Sequence, residues 1–225
     1  MTENSNKSGG VKSTAYIGIS AVILIFGIWA VPKIVDSVLE PEMAYIMNND
    51  QERTSVPDFS FTDQNGNTVT NKDYEGKVYV AEFFFTTCPS ICPIMNRNMV
   101  KVQNEFYGNP DFGIASFTIN PEQDTPQVLK AYADSYKVTH PNWHMLTGDK
   151  DAIYKLANEG FHIYAGESLD SDEVFEHSGL FALIDKEGHI RSRYDENGNA
   201  LIYYDGLETE GIQMLVEDIK LLLKH

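Results

Sequence analysis

The run KVYVAEFFFTT, from Lys77 to Thr87, ends on the hexapeptide CPSICP, and a helical pattern begins directly after it. This junction constrains the fold more than any other part of the chain. A continuous run rich in Val, Tyr and Phe, of strand length, reads as a central strand buried on both faces. From Ile94 to Phe106, Met95, Met99, Val102 and Phe106 recur at helical spacing. A strand, a tight proline-bearing loop and a helix make one unit of an open α/β sheet. Ligands of such sheets bind beyond the carboxyl ends of the strands. The loop holds Cys88 and Cys92, the chain's two cysteines, so both stand on functional ground.

Two further strand–helix cycles follow. FGIASFTI (112–119) is read as a strand, NPEQDTP as a loop, and Gln127 to Tyr136 as a helix capped by Thr125 or Asp124. NWHML is a third strand, with a helix from Asp149 to Glu159. The order then changes. SGLFALID and HIRSRYD flank Lys186-Glu187-Gly188 as a hairpin, and Thr209 to Leu223 closes the chain with a one-sided apolar helix. Upstream, Phe59 and Phe61 precede Asn65-Gly66, the turn signal of another short hairpin. These elements predict an α/β fold, a mixed central sheet flanked by helices, in the arrangement of a thioredoxin-like fold.

The N-terminus is of another kind. Ser13 to Pro32 (STAYIGISAVILIFGIWAVP) carries no charge and has the length of a transmembrane helix. Lys7 and Lys12 precede it and the chain turns acidic after Lys33, which places the tail inside and the rest outside. A cleaved signal peptide is the competing reading, opposed by Trp29, Val31 and Pro32 where small residues would mark a cleavage site. The expected organisation is a cytoplasmic tail (1–12), an anchor (13–32), a juxtamembrane linker (33–55) and a globular domain (56–225). That domain would be periplasmic or on the outer face of the cytoplasmic membrane. With 42% hydrophobic residues the chain can bury a core, and its net charge of -16 argues against nucleic acid as a partner.

The cysteine pair has three readings. A disulfide closing so short a loop is a poor entropic staple. A redox couple would usually be C-x-x-C, whereas this motif is C-x-x-x-C. Two thiolates also suit Cu(I), with histidine as the usual further donor; structural zinc would normally ask for four protein ligands. Pro93 is expected at the first helical position, with Cys92 near the N-cap, where the helix N-terminus favours thiolate over thiol. Among the six histidines, His140, His144, His189 and His225 read as loop, strand, hairpin-end and terminal residues. His162 and His177 remain, the latter at a loop–strand junction after the acidic segment ESLDSDEVFE.

FFFTTCPSICP followed by a Met-rich helix resembles the Sco/SenC family, membrane-anchored copper-binding proteins of thioredoxin-like fold. The resemblance extends from about Val56 to the end of the chain. It makes VFEHSGLFALIDKEGHIR the segment of the distant copper-binding histidine, hence His177, with Glu176 where the family usually has aspartate. NPEQDTP resembles the family's D-P-E-R-D-T-P loop; Asn120 replaces the first acid and Gln123 the arginine, while Asp124 is kept. The implied metal ligands are Cys88, Cys92 and His177, the cofactor is copper as Cu(I) or Cu(II), and no enzymatic reaction is required. The implied partners are the copper-bearing subunit of cytochrome c oxidase and a copper donor or thiol–disulfide reductase, with the membrane reached through the N-terminal helix. The alternative is a thiol–disulfide oxidoreductase that keeps the oxidase cysteines reduced, with Cys88 and Cys92 redox-active. A peroxide-reducing relative would need a peroxidatic cysteine pocket, of which the sequence gives no distinct sign. Glu82, inside the apolar strand, has no role in these readings and is expected at a sheet end or in a polar pocket.

Overall fold

The structure, a computed structural model, describes residues 10–39, 43–48, 50–167 and 175–224. It divides into two compact units, Met1–Pro41 and Glu42–His225. The first contains helix α1, Gly10–Leu39, whose described apolar side chains, among them Ile17, Ile23, Phe26 and Trp29, are largely exposed. Among the described residues no helix is long and apolar enough to cross a membrane.

The second unit is built on the expected junction. Strand β4, Val78–Phe84, is buried at every position and lies parallel to β5, Phe112–Thr118, which is parallel to β6, Trp143–Thr147. The hairpin β2 (Ser60–Asp63) and β3 (Thr68–Thr70) turns at Asn65-Gly66, with Gly66 at φ 83°, and extends the sheet antiparallel beyond β6. On the other side β9, Leu180–Ile184, runs antiparallel to β4 and pairs with β10, Ile190–Ser192, as the predicted hairpin. The mixed sheet expected from the sequence is therefore present. Short β11, Tyr204–Asp205, also pairs with β9.

Strand parity divides the core. Phe83 stacks on Phe117 at 5.3 Å and meets Phe161 edge-on at 5.5 Å on one face. The other face carries Glu82, Phe84 and Ser116 beneath helices α2 (Cys92–Glu105) and α3 (Pro126–Tyr136), with Tyr132 against Phe84 at 5.6 Å. Thr125 is the α3 cap, its Oγ1 accepting the Val128 N–H.

Two stretches differ from the sequence reading. Residues 43–55, read as linker, join the sheet: β1, Ala44–Tyr45, pairs antiparallel with β10, and Ser55 bridges to His189. Two paired residues are too few to give an alternation pattern. What holds them is aromatic: the Tyr45 ring lies 3.9 Å from the Arg53 guanidinium and 3.7 Å from that of Arg191. The helix read from Asp149 to Glu159 is α-helical over α4, Lys150–Lys155, and then widens into a π turn at Leu156–Gly160. There the backbone passes Pro57 so closely that a Cβ on Gly160 would lie 2.9 Å from the proline ring.

Helix α5, Thr209–Lys224, is fastened by a buried charge cluster. Arg193 donates to both carboxylate oxygens of Asp218 at 2.8 Å, and the Tyr204 hydroxyl donates to Asp218 Oδ2 at 2.6 Å. Asp218 is fully buried, so its removal takes the acceptor from the Tyr204 phenol and two bonds from Arg193, which keeps Glu217 Oε2 and Met214 O. Asp218→Ala is expected to lower unfolding free energy by about 2–3 kcal/mol, the scale of losing hydrogen bonds to a charged group, read as a shifted urea midpoint.

His140 is a structural histidine. It is buried between α2 and β6, its N–H donates to Gln103 Oε1 at 2.9 Å, and its Nδ1 accepts the Asn142 N–H at 3.2 Å. Burial depresses its pKa below the ordinary value, opposed by backbone hydrogen bonds with Phe106 and Asn109. The unfolded chain therefore binds the proton more readily, and stability falls as pH drops below about 6.5 toward the depressed folded value. Urea midpoints measured from pH 7 to pH 5 should decline, and His140→Gln should flatten the decline.

Candidate metal centre

The cysteine loop leaves the carboxyl end of β4. The Cys88 N–H returns to Phe85 O at 3.3 Å, and α2 starts four residues later with Ile91 as N-cap. Cys92 is thus the first helical residue and Pro93 the second, one step from the expected register. Proline still removes a donor that the first turn could not use. The orphan N–H of Cys92 finds a partner in the other cysteine, donating to Cys88 Sγ at 3.4 Å. Ser90 Oγ lies 3.8 Å from the same sulfur. The two cysteines are not joined in a disulfide, and both are buried, Cys88 6% exposed and Cys92 fully.

At Cys92 burial outweighs the helix N-terminus. Desolvation pushes its thiol far above the ordinary range, the hydrogen bond with Cys88 adds to this, and so do the charges of Cys88 and Glu82; a backbone hydrogen bond with Phe85 opposes them. The expected preference for thiolate is therefore corrected at this residue. Burial thus favours the Cys92 thiol over its thiolate, while the helix-end N–H points at Cys88 Sγ.

A polar layer backs the pair. Glu82 is fully buried at mid-strand, in a polar pocket and not at a sheet end; Ser116 Oγ donates to its Oε1 at 2.7 Å, and Trp143 Nε1 donates to Ser116 Oγ at 3.0 Å. Asn96, one turn along α2, donates through Nδ2 to Cys92 O at 3.0 Å and to the Tyr132 hydroxyl at 3.2 Å. Burial, first of all, raises the Tyr132 phenol far above its usual value; Tyr136, Cys92 and Glu82 reinforce it. Sequence reasoning did not single out Asn96 or Tyr132, whose link to the pair depends on α2 and α3 meeting in the fold.

Asp124 of the NPEQDTP loop is likewise buried completely. Its Oδ2 accepts the Thr86 N–H at 3.0 Å and the Thr118 hydroxyl at 2.5 Å, while Oδ1 accepts the Thr86 hydroxyl at 2.5 Å. The acid that the family-like loop retains thus faces inward onto Thr86, which stands two residues before Cys88.

His177 ends strand β8, Phe175–His177, which pairs with β7, Ala165–Glu167, in a small separate sheet where His177 is opposite Ala165. Its side chain, and the acidic segment 168–174 before it, lie outside the described residues. Backbone register gives its position along the chain. Ala182 pairs with Ala81 and Ile184 with Tyr79, so β9 begins at the end of the sheet where β4 delivers the cysteines, and His177 stands three residues before Leu180. Gly206 N–H donates to Gly179 O at 2.7 Å, and a Cβ on Gly206 would lie 2.9 Å from that oxygen, so this close approach needs glycine. His162, the other candidate, is exposed with φ 51°. His144 faces Asp63 at 3.4 Å. Among the described residues no three His, Cys, Asp or Glu side chains converge on one point. The structure thus brings Cys88 and Cys92 together, and chemically they offer two buried sulfurs in one loop, a pair suited to a soft metal or to reversible oxidation.

Comparison with known proteins agrees with this arrangement. The family model described as SCO1/SenC matches residues 47–210. The SCO1 protein homolog of Bacillus subtilis is 31% identical over 167 residues, covering 73% of this chain and 81% of that protein. The solved structure of BsSco, described as a member of the Sco family of cytochrome c oxidase assembly proteins with a disulfide switch, superposes with a TM-score of 0.63 at 29% identity, covering 76% of this chain and 94% of the other. ScoI of Bradyrhizobium japonicum, solved with copper bound, gives a TM-score of 0.57 at 26% identity over 75% and 99% of the two chains. By its cysteine junction, its sheet and these matches, the chain belongs to the SCO1/SenC family.

Proposed function

We propose that this protein carries copper as cargo, bound by Cys88, Cys92 and His177, and delivers it to the dinuclear copper site of a respiratory cytochrome c oxidase. The observation that carries the reading is the cysteine pair itself: two sulfurs in one loop, Cys88 receiving the Cys92 N–H, at the carboxyl end of the central strand. Soft sulfur donors with one imidazole suit Cu(I) and tolerate Cu(II). The copper bound to ScoI and the oxidase-assembly role of the family of BsSco support it. Delivery proceeds by ligand exchange, donors of the oxidase subunit replacing these ligands one at a time so that no bare ion is released. Loading requires both cysteines reduced, which assigns a copper donor and a thiol–disulfide reductase as upstream partners.

The anchor belongs to the same reading. Residues 13–32 span the membrane, 1–12 remain in the cytoplasm, and the unit beginning at Glu42 works outside, where free thiols oxidise unless maintained. The second reading, a thiol–disulfide oxidoreductase acting on the oxidase cysteines, is favoured by the contact between the two thiols and by the disulfide switch described for BsSco.

One experiment separates them. Full-length protein in detergent, reduced and anaerobic, is titrated with Cu(I) against a competing chelator, and its reduction of a model disulfide is timed in parallel. Tight binding with slow reduction supports copper carriage. Weak binding with rapid turnover overturns it in favour of the reductase.

A further inference from the structure

We infer that Asp124 is a positioning residue for the cysteine pair, bracing the Cys88 loop through Thr86 and the Cys92 helix through α3. The inference rests on the proposed metal-binding role of the pair and deepens it.

The brace begins with a buried carboxylate that accepts three hydrogen bonds, two from Thr86 and one from Thr118. Thr118 is the last residue of β5, so one end of the brace is rooted in the sheet. Its hydroxyl also accepts the Asn120 N–H at 3.0 Å, and Asn120 O accepts the Asp124 N–H at 2.9 Å. The loop therefore closes around the carboxylate with its donors matched, the condition under which a buried polar network rigidifies instead of destabilising.

The other end of the brace grips Thr86 by both N–H and hydroxyl, which fixes its backbone and side chain together. Two residues later comes Cys88. The next residue after Asp124, Thr125, caps α3, and α3 carries Tyr132 to Asn96, which in turn holds Cys92 O. One short loop thus reaches both cysteines by separate routes. Its retained acid faces these inward contacts, while the exposed Glu122 and Gln123 are turned to solvent.

A brace differs from a mere stabiliser in what its two ends do. Breaking the Thr118 end loosens the loop from the sheet; breaking the Thr86 end releases the cysteine loop. Full-length protein in detergent is prepared as Thr86→Val, Thr86→Ser and Thr118→Val. Three quantities are measured: Cu(I) affinity by chelator competition, the equilibrium of the Cys88–Cys92 dithiol with glutathione, and Tm. Thr86→Val should bind Cu(I) roughly tenfold more weakly and shift the dithiol equilibrium severalfold, with Thr86→Ser restoring both, because a charge-assisted bond that sets loop geometry is lost. Thr118→Val should lower Tm at least as much while changing affinity and equilibrium less. If both valine variants lose affinity in proportion to Tm, or Thr86→Val behaves as wild type, Asp124 is an ordinary stabiliser and the inference is overturned. Wild-type protein that fails to bind copper overturns the copper reading instead; the brace is then judged on the glutathione equilibrium.

Discussion

Cys92→Ser is expected to abolish tight copper binding while leaving the fold in place. The exchange replaces one soft donor by a hard hydroxyl, and for Cu(I) that preference amounts to a loss of roughly a thousandfold or more in affinity. The structural cost is modest by comparison. Cys92 is fully buried, so the hydroxyl costs about 1–3 kcal/mol unless it keeps the contact with Cys88. Its N–H to Cys88 Sγ and the start of α2 do not depend on the Cys92 side chain. Circular dichroism should therefore remain native while the thiolate-to-copper charge-transfer band seen with Cu(II) disappears. A variant that keeps the band would remove Cys92 from the ligand set.

His177→Ala is the second large effect, and it bears most directly on function. With the two sulfurs still present, affinity for Cu(I) should fall by about 100-fold, the scale of losing one first-row metal donor among three. Stability should change little, since β8 pairs with β7 apart from the main sheet. Disulfide reduction by the cysteine pair should be unaffected, because thiol exchange uses no imidazole donor. Copper binding that ignores the mutation would take His177 out of the site and leave the pair with the reductase reading.

The core of the fold was legible because its signals are long. The apolar run of β4, the amphipathic pattern of α5 and the Lys186-Glu187-Gly188 hairpin each contain enough residues to declare a period. β1 has two residues and β11 has two, and both are held by partners more than twenty positions away or by ring–cation contacts, which no local pattern records. The site divides in the same way. Cys88 and Cys92 were visible from chemistry and position, whereas His177 was singled out by family resemblance and not by its neighbours. Glu82 looked anomalous because its partner Ser116 is 34 residues distant, brought beside it by the parallel register of β4 and β5. Asp124 was read as a candidate cap of α3 and as the retained acid of the family-like loop; its burial follows from Thr86 and Thr118, which sequence alone does not bring together.

The strand order also has a temporal side. β4, which carries the cysteines, is flanked in the finished sheet by β5 and by β9, and β1 waits for β10 near the end of the chain. A chain that emerges amino end first therefore presents Cys88 and Cys92 well before the segments that bury them exist, and such long-range pairings close slowly. During that interval both thiols are open to any oxidant nearby. Disulfide formation during that interval competes with strand closure, so slower closure leaves the pair more time to oxidise.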